Sequence, residues 1–315
     1  MVWRGELRWS LCACVVAVLA LFAPASAQAA VTSGHWVESS SAREAIEFWT
    51  PARMRQAQPV AITRARPGFA SQLNGRSPAF GSDFERVADP TAEGFRIHGA
   101  VFFSMGLLES SRCSGTAVRS RSKSVVFTAA HCVNNGGRRS RQWFSDRWVF
   151  VPAYRYGQRP FGVFPARWLD TTRQWRATGS ENYDVAAAVV GRNQRGELLG
   201  EAVGGAGIAW GLKPRQTFDV HGYPAEAPFD GETQRVCPDT PFLGHDPHAF
   251  ASPGPLSLAV ACGVTGGASG GGWMIDGKTL NGLTSYSYFD DDTPDFSPYF
   301  GKEVARLYGR AARVR

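Results

Sequence analysis

The sequence predicts an all-β fold, a sandwich or barrel, for residues 95–315, and three observations carry that expectation. Short apolar runs recur between Gly, Pro, Asn and Asp turns. Glycine is abundant at 35 residues, with 19 prolines, which suits many strands joined by turns better than a helical bundle. Helical spacing appears only late, over Pro298 to Arg313, where Phe300, Val304, Leu307 and Tyr308 share one face.

The candidate strands, in order, are Gly99 to Phe103, Thr116 to Val118, Ser124 to Thr128, Trp148 to Val151 and Val185 to Val190. Thr217 to Gly222, Leu256 to Cys262, Gly271 to Ile275 and Asn281 to Tyr288 follow. Residues 28–94 read differently. They hold no cysteine, and Pro51, Pro59, Pro67, Pro78 and Pro90 break any long element. One short helix is predicted from Ser41 to Trp49. The segment has too little apolar content to fold alone, so it is expected to be a prosegment or an ordered arm.

Residues 1–27 have the pattern of a signal peptide. Arg4 and Arg8 precede the apolar run Leu11 to Phe22, and Ala25-Ser26-Ala27 offers a cleavage site. The run is too short to span ~30 Å of hydrocarbon. Export to the extracellular space is therefore expected, with no membrane attachment after the cut. The cysteines agree. Cys12 and Cys14 leave with the signal, and Cys113, Cys132, Cys237 and Cys262 remain, an even number in an exported chain. They allow three pairings, and no Cys-x-x-Cys pair argues for zinc. No metal and no cofactor is expected. The net charge is +7, but no block of five basic residues occurs, so nucleic acid is not an expected partner.

Three segments carry chemistry. Gly267-Ala268-Ser269-Gly270-Gly271 supplies a hydroxyl nucleophile among glycines that permit a sharp turn. The N–H groups of Gly267 and Ser269 are then candidates for an oxyanion hole. His131 ends the apolar strand before Cys132 and is the candidate base. Asp184 opens the run Val185 to Val190 and is the candidate orienting acid. Its nearest rival, Asp170, precedes the polar Thr171-Thr172-Arg173. Chain order discriminates further. No histidine follows Ser269, since the last is His248, which excludes the Ser…Asp…His order of α/β-hydrolases. Neither Asp83 nor Asp89 has the strand context that an Asp…His…Ser order needs.

Thr128-Ala129-Ala130-His131-Cys132 resembles the histidine motif of trypsin-like serine peptidases. His221-Gly222-Tyr223-Pro224 and Thr265-Gly266-Gly267 look closer to the bacterial glutamyl-endopeptidase-like branch. The resemblance covers about residues 95–310 and implies two antiparallel β-barrels with the site between them. It also implies a Cys113–Cys132 disulfide behind His131, with Cys237–Cys262 as the second, and protein or peptide as substrate. Gly282-Leu283-Thr284-Ser285-Tyr286-Ser287 resembles the strand lining the specificity pocket, so Val264, Thr284, Ser285, Tyr286 and Ser287 are the candidate pocket residues. A monomer is expected.

Departures from the family pattern matter. Ala268 stands where trypsin-like zymogens carry the Asp that pairs with a newly cut N-terminus. Thr284 stands where Glu-specific members carry His, and Gly263 and Val264 occupy the region of a trypsin-type Asp. The expected preference is neutral or apolar. Asp290, Asp291, Asp292 and Asp295 follow the pocket strand and are expected to form a solvated loop, the alternatives being attraction of Lys or Arg and calcium binding. The function these features predict is a secreted serine endopeptidase. The alternative is a non-catalytic peptide-binding module on the same fold.

Overall fold

A computed structural model describes residues 1–2, 34–60, 62–64, 84–105, 108–137, 143–246, 254–288 and 294–315, with the backbone alone at 62–64 and 108–109. The chain divides into Met1–Ala30 and Val31–Arg315, and all the strands and helices below belong to the second unit. The signal run 11–22 and Asp290, Asp291 and Asp292 lie outside the described residues.

Six strands form the first half: β1 (His98–Met105), β2 (Leu108–Val118), β3 (Val125–Thr128), β4 (Asp146–Pro152), β5 (Phe164–Thr171) and β6 (Ala186–Val190). They pair antiparallel in the order β5-β6-β3-β2-β1-β4, and β4 returns to β5 to close a barrel. Val101, Phe103, Val126, Phe150 and Leu169 fill it and are almost fully buried, while Phe127 faces the C-terminal helix.

The second half comprises β7 (Thr217–Gly222), β8 (Arg235–His245), β9 (Leu258–Val260), β10 (Gly272–Ile275), β11 (Thr279–Leu283), β12 (Tyr286–Tyr288) and β13 (Asp295–Ser297). These run antiparallel in the order β11-β10-β7-β8-β9-β13-β12. Their core is Phe218, Val220, Leu258, Val260 and Trp273 around the Cys237–Cys262 disulfide. Where the halves meet, His98 of β1 stacks on His221 of β7 with ring centroids 3.8 Å apart.

Three helices complete the parts that matter for the site. α1 (Ser39–Phe48) and α2 (Pro51–Gln56) belong to the arm. Thr50 caps α2 by accepting from Arg53 N at 3.3 Å, and Pro51 fills the first turn, where no N–H partner is needed. Trp49, Met54 and Ala57 pack on Phe102, Val151 and Tyr154 of the first barrel, so the arm borrows the barrel's apolar surface. α3 (Lys302–Ala311) buries Val304, Leu307 and Ala311 in the first barrel's core, as its helical spacing predicts.

Candidate functional site

Strand register delivers the first two functional side chains. β6 pairs with β3 so that Ala186 faces Thr128. Asp184 lies two residues before that pair and His131 three residues after it, so both fall beyond the same barrel end. A 3-10 turn, Ala130–Cys132, swings His131 inward, and the Cys113–Cys132 disulfide ties the turn to β2.

Asp184 then grips the histidine twice. Its Oδ1 accepts from the His131 backbone N at 2.8 Å, and its Oδ2 lies 2.7 Å from His131 Nδ1. A third donor, Ser285 Oγ, reaches Oδ2 at 2.6 Å. Asp184 is wholly buried, and burial of a carboxylate is tolerated because these donors replace its water. The Nδ1 contact fixes the ring so that Nε2 is the atom left to exchange a proton. His131 Nε2 is buried and has no hydrogen-bond partner among the described residues.

The third side chain sits in the turn between Val264 and β10. Gly267 and Gly270 take φ of +95° and +85°, which only glycine adopts without strain. A Cβ on Gly267 would lie 2.8 Å from Tyr223 O. The turn is pinned from both halves of the protein. Ser114 N donates to Ser269 O at 2.8 Å, and Ser114 Oγ donates to Gly267 O at 2.8 Å. Glu226 accepts from Gly266 N at 3.0 Å, and Gly270 N donates to Thr284 O at 2.7 Å. With Gly267 O held by Ser114, its N–H faces the cleft.

The cleft is occupied by the arm. Gln58–Pro59 pairs with Ser111 and Arg112 of β2, and Val60 N donates to Arg112 O at 3.1 Å. Beyond Val60, Ile62–Arg64 pairs with Tyr286, Ser287 and Tyr288 of β12. Between these two rails the carbonyl of Val60 accepts from Gly267 N at 3.4 Å and from Ser269 Oγ at 3.2 Å. The Ser269 hydroxyl is thus turned to the arm.

The candidate pocket residues divide. Ser285 is buried, with its hydroxyl given to Asp184. Thr284 is buried and donates to Asp295 Oδ2 at 2.6 Å while accepting from Trp273 Nε1 at 3.2 Å. Tyr286 stacks on Phe296 and donates its hydroxyl to Asp246 at 2.6 Å. Ser287 is half-buried, and Val264 is buried in the core of the second half. The solvated-loop expectation is corrected at Asp295, which is buried on β13 because Val260 and Thr284 flank it. Burial pushes its carboxyl up to about 8, outweighing the hydrogen bonds that favour the charge.

That shift has a defined sign. Between an unfolded value of 3.8 and a folded value of about 8, the folded state holds a proton that the unfolded state has lost. Stability contributed by this group is therefore greatest near pH 4 and falls as pH rises toward 8. Asp295→Asn mimics the protonated form. The melting temperature of the wild type is expected to fall relative to that of the variant between pH 5 and pH 8, read by calorimetry. Parallel curves across that range would refute it.

Cys113, His131 and Cys132 place their ligand atoms within 4.8 Å of one another, but both sulfurs are held in a disulfide and offer no thiolate to a metal. Asp170 is taken out of contention by its own partners, Arg176 and Arg310 at 2.7 Å. Sequence reasoning missed Ser285 as a partner of Asp184, and Ser114 and Glu226 as holders of the turn. Ser114 follows Cys113, the cysteine whose implied disulfide lies behind His131, which was the available signal.

The structure resembles solved structures of proteases. The protease Anisep from Arthrobacter nicotinovorans is 32% identical, covering 72% of this chain and 99% of its own, with a TM-score of 0.64. The thermostable serine protease AL20 from an extremophilic microorganism is 32% identical over 70% of this chain and 98% of its own, with a TM-score of 0.63. A Glu endopeptidase, 17% identical over 75% of this chain and 100% of its own, shares the fold at a TM-score of 0.58. No family model and no curated protein matches the chain.

Proposed function

The chain belongs to the chymotrypsin-fold serine proteases, and from that membership we propose that it is a secreted serine endopeptidase with Ser269 as nucleophile, His131 as base and Asp184 as orienting acid. The observation that carries this reading is the Val60 carbonyl. A peptide carbonyl lies on Gly267 N–H and against Ser269 Oγ, where a carbonyl about to be attacked would lie. Asp184 and His131 stand behind it, already paired.

With substrate in the cleft, Ser269 Oγ attacks the carbonyl carbon as its proton passes to His131 Nε2. The carbonyl oxygen becomes an oxyanion held by the N–H groups of Gly267 and Ser269. His131 returns the proton to the leaving amine as the C–N bond breaks, which leaves an ester on Ser269. Water then attacks that ester, His131 takes its proton, and the acid and the Ser269 hydroxyl are regenerated. Asp184 holds and stabilises the imidazolium in both halves.

Export fits the two disulfides, which persist in oxidising compartments. Among the described residues, no helix is long and apolar enough to cross a membrane. The test is a fluorophosphonate probe on the full chain after mild treatment with an external protease, with peptide hydrolysis measured alongside. Labelling of Ser269, lost in His131→Ala, and turnover of a peptide are expected. Peptide binding without turnover would instead favour a binding module.

A further inference from the structure

The direction in which the arm crosses the cleft decides what it does there. Gln58–Pro59 runs parallel to β2, and Ile62–Arg64 runs parallel to β12. The chain therefore enters along the first barrel, presents the Val60 carbonyl to Ser269, and leaves along the second half.

Cleavage needs the opposite polarity. The leaving nitrogen must take its proton from His131 Nε2, so the residues that follow the scissile carbonyl must lie on the histidine's side. That side is the first barrel's: His131 follows β3, β3 pairs with β2, and Cys132 is bonded to Cys113 of β2. In the arm, the residues that follow Val60 lie on β12 instead. The nitrogen to be expelled points away from its acid. The arm also intercepts the nucleophile's proton, because Ser269 Oγ donates to Val60 O while His131 Nε2 has no partner among the described residues.

Both rails are stiff. Arg112, whose carbonyl holds Val60 N, is buried with its guanidinium on Glu232 at 3.1 Å and on Gly231 O, and Glu232 is fixed by Tyr154 at 2.8 Å. On the other side, Tyr286 is held by Phe296 and Asp246. Upstream, Trp49 donates to Arg147 O at 2.6 Å and anchors the arm to the barrel.

We propose that residues 58–60 and 62–64 are a built-in inhibitor that lies backwards in the cleft, so that the chain blocks Ser269 without cutting the blocking bond. This rests on the protease reading above and adds its regulation.

The test uses the full chain and Val60→Pro, which deletes the N–H that Arg112 holds and leaves the barrel residues unchanged. Three measurements are made: the labelling rate of Ser269 by a fluorophosphonate, hydrogen exchange over residues 58–64, and intact mass after prolonged incubation. Wild type is expected to label slowly, to protect the Val60 amide, and to show no cut after Val60. Val60→Pro is expected to exchange freely over that stretch and to label up to about tenfold faster, the effect of losing one net hydrogen bond. Equal labelling rates, or fast exchange at Val60 in wild type, overturn the inhibitor. A cut after Val60 overturns the reversed polarity. If Val60→Pro exchanges freely and Ser269 still never reacts, the protease reading itself has failed and the inhibitor falls with it.

Discussion

Ser269→Ala is expected to lower kcat for a peptide substrate by roughly 10⁶-fold, with KM little changed. His131→Ala should lose about as much, and the double variant no more than either, because nucleophile and base act as one unit. The protein for this comparison carries Val60→Pro, so that the arm does not mask the effect. The geometry explains the expected size. Ser269 is a weak nucleophile without a base, and His131 Nε2 is the only ring atom left to serve, since Nδ1 is committed to Asp184. Some rate over water should survive, because Gly267 N–H still faces a bound carbonyl. Steady-state kinetics, with active-site titration to exclude wild-type contamination, reads the result. Additive losses in the double variant would mean that Ser269 and His131 act in separate steps, and the proposed mechanism would not stand.

Much of this site was legible in the sequence because its parts sit at ends of strongly patterned strands. Val125–Thr128 and Ala186–Val190 are continuous apolar runs, so the residues just beyond them, His131 and Asp184, stood out in a defined context. β5 and β8 were not legible. Phe164–Thr171 carries Pro165, Arg167 and Asp170, and Arg235–His245 carries Pro238, Pro241 and Gly244, residues that read as turns although both segments pair as strands. One predicted strand, Asn281 to Tyr288, proves to be two. Thr284 N and O leave the ladder to bond Gly271 O and Gly270 N, and so hold the nucleophile turn. The arm's course was illegible for a different reason. Among its described prolines, Pro51 opens a new helix and Pro59 ends a two-residue strand, but the arm's place in the cleft depends on contacts far away in sequence, such as Val60 with Arg112 and Ser269, which no local pattern encodes.

Ala268 before Ser269 raised the question of what forms the oxyanion turn without an ion pair to a new N-terminus. The structure answers with neutral and one-sided contacts. Ala225 N donates to Gly266 O at 2.7 Å, Glu226 holds Gly266 N, Ser114 holds Gly267 O, and Ala268 N donates to Thr265 O at 3.1 Å. Ala268 itself is fully buried, a position where a charge would need a partner. The turn is thus built before any cut is made. A chain whose site is already formed needs something in the cleft to restrain it, and the reversed arm supplies that. Activation on this account removes an occupant and leaves the machinery as it stands.

Asp184→Asn is the second large effect expected, roughly 10⁴-fold in kcat. The carboxylate accepts three hydrogen bonds, from His131 N, His131 Nδ1 and Ser285 Oγ. An amide has one acceptor oxygen. If it serves the His131 backbone N, its NH₂ faces Nδ1, and the proton is forced onto Nε2, where it can no longer act as a base. The imidazolium also loses its counter-charge. Ser285→Ala separates these effects. It keeps the charge and the tautomer and removes only one donor, so a loss of about tenfold to a hundredfold is expected, the worth of one hydrogen bond to a charged group. Asp170→Asn is the control for the rival acid. Asp170 sits between Arg176 and Arg310, so its substitution should lower stability and leave kcat near wild type. Kinetics of the three variants, read beside their melting temperatures, decides the assignment. If Asp170→Asn lost kcat as severely as Asp184→Asn, or if Asp184→Asn fell by less than about tenfold, then Asp184 would not be the residue that orients His131.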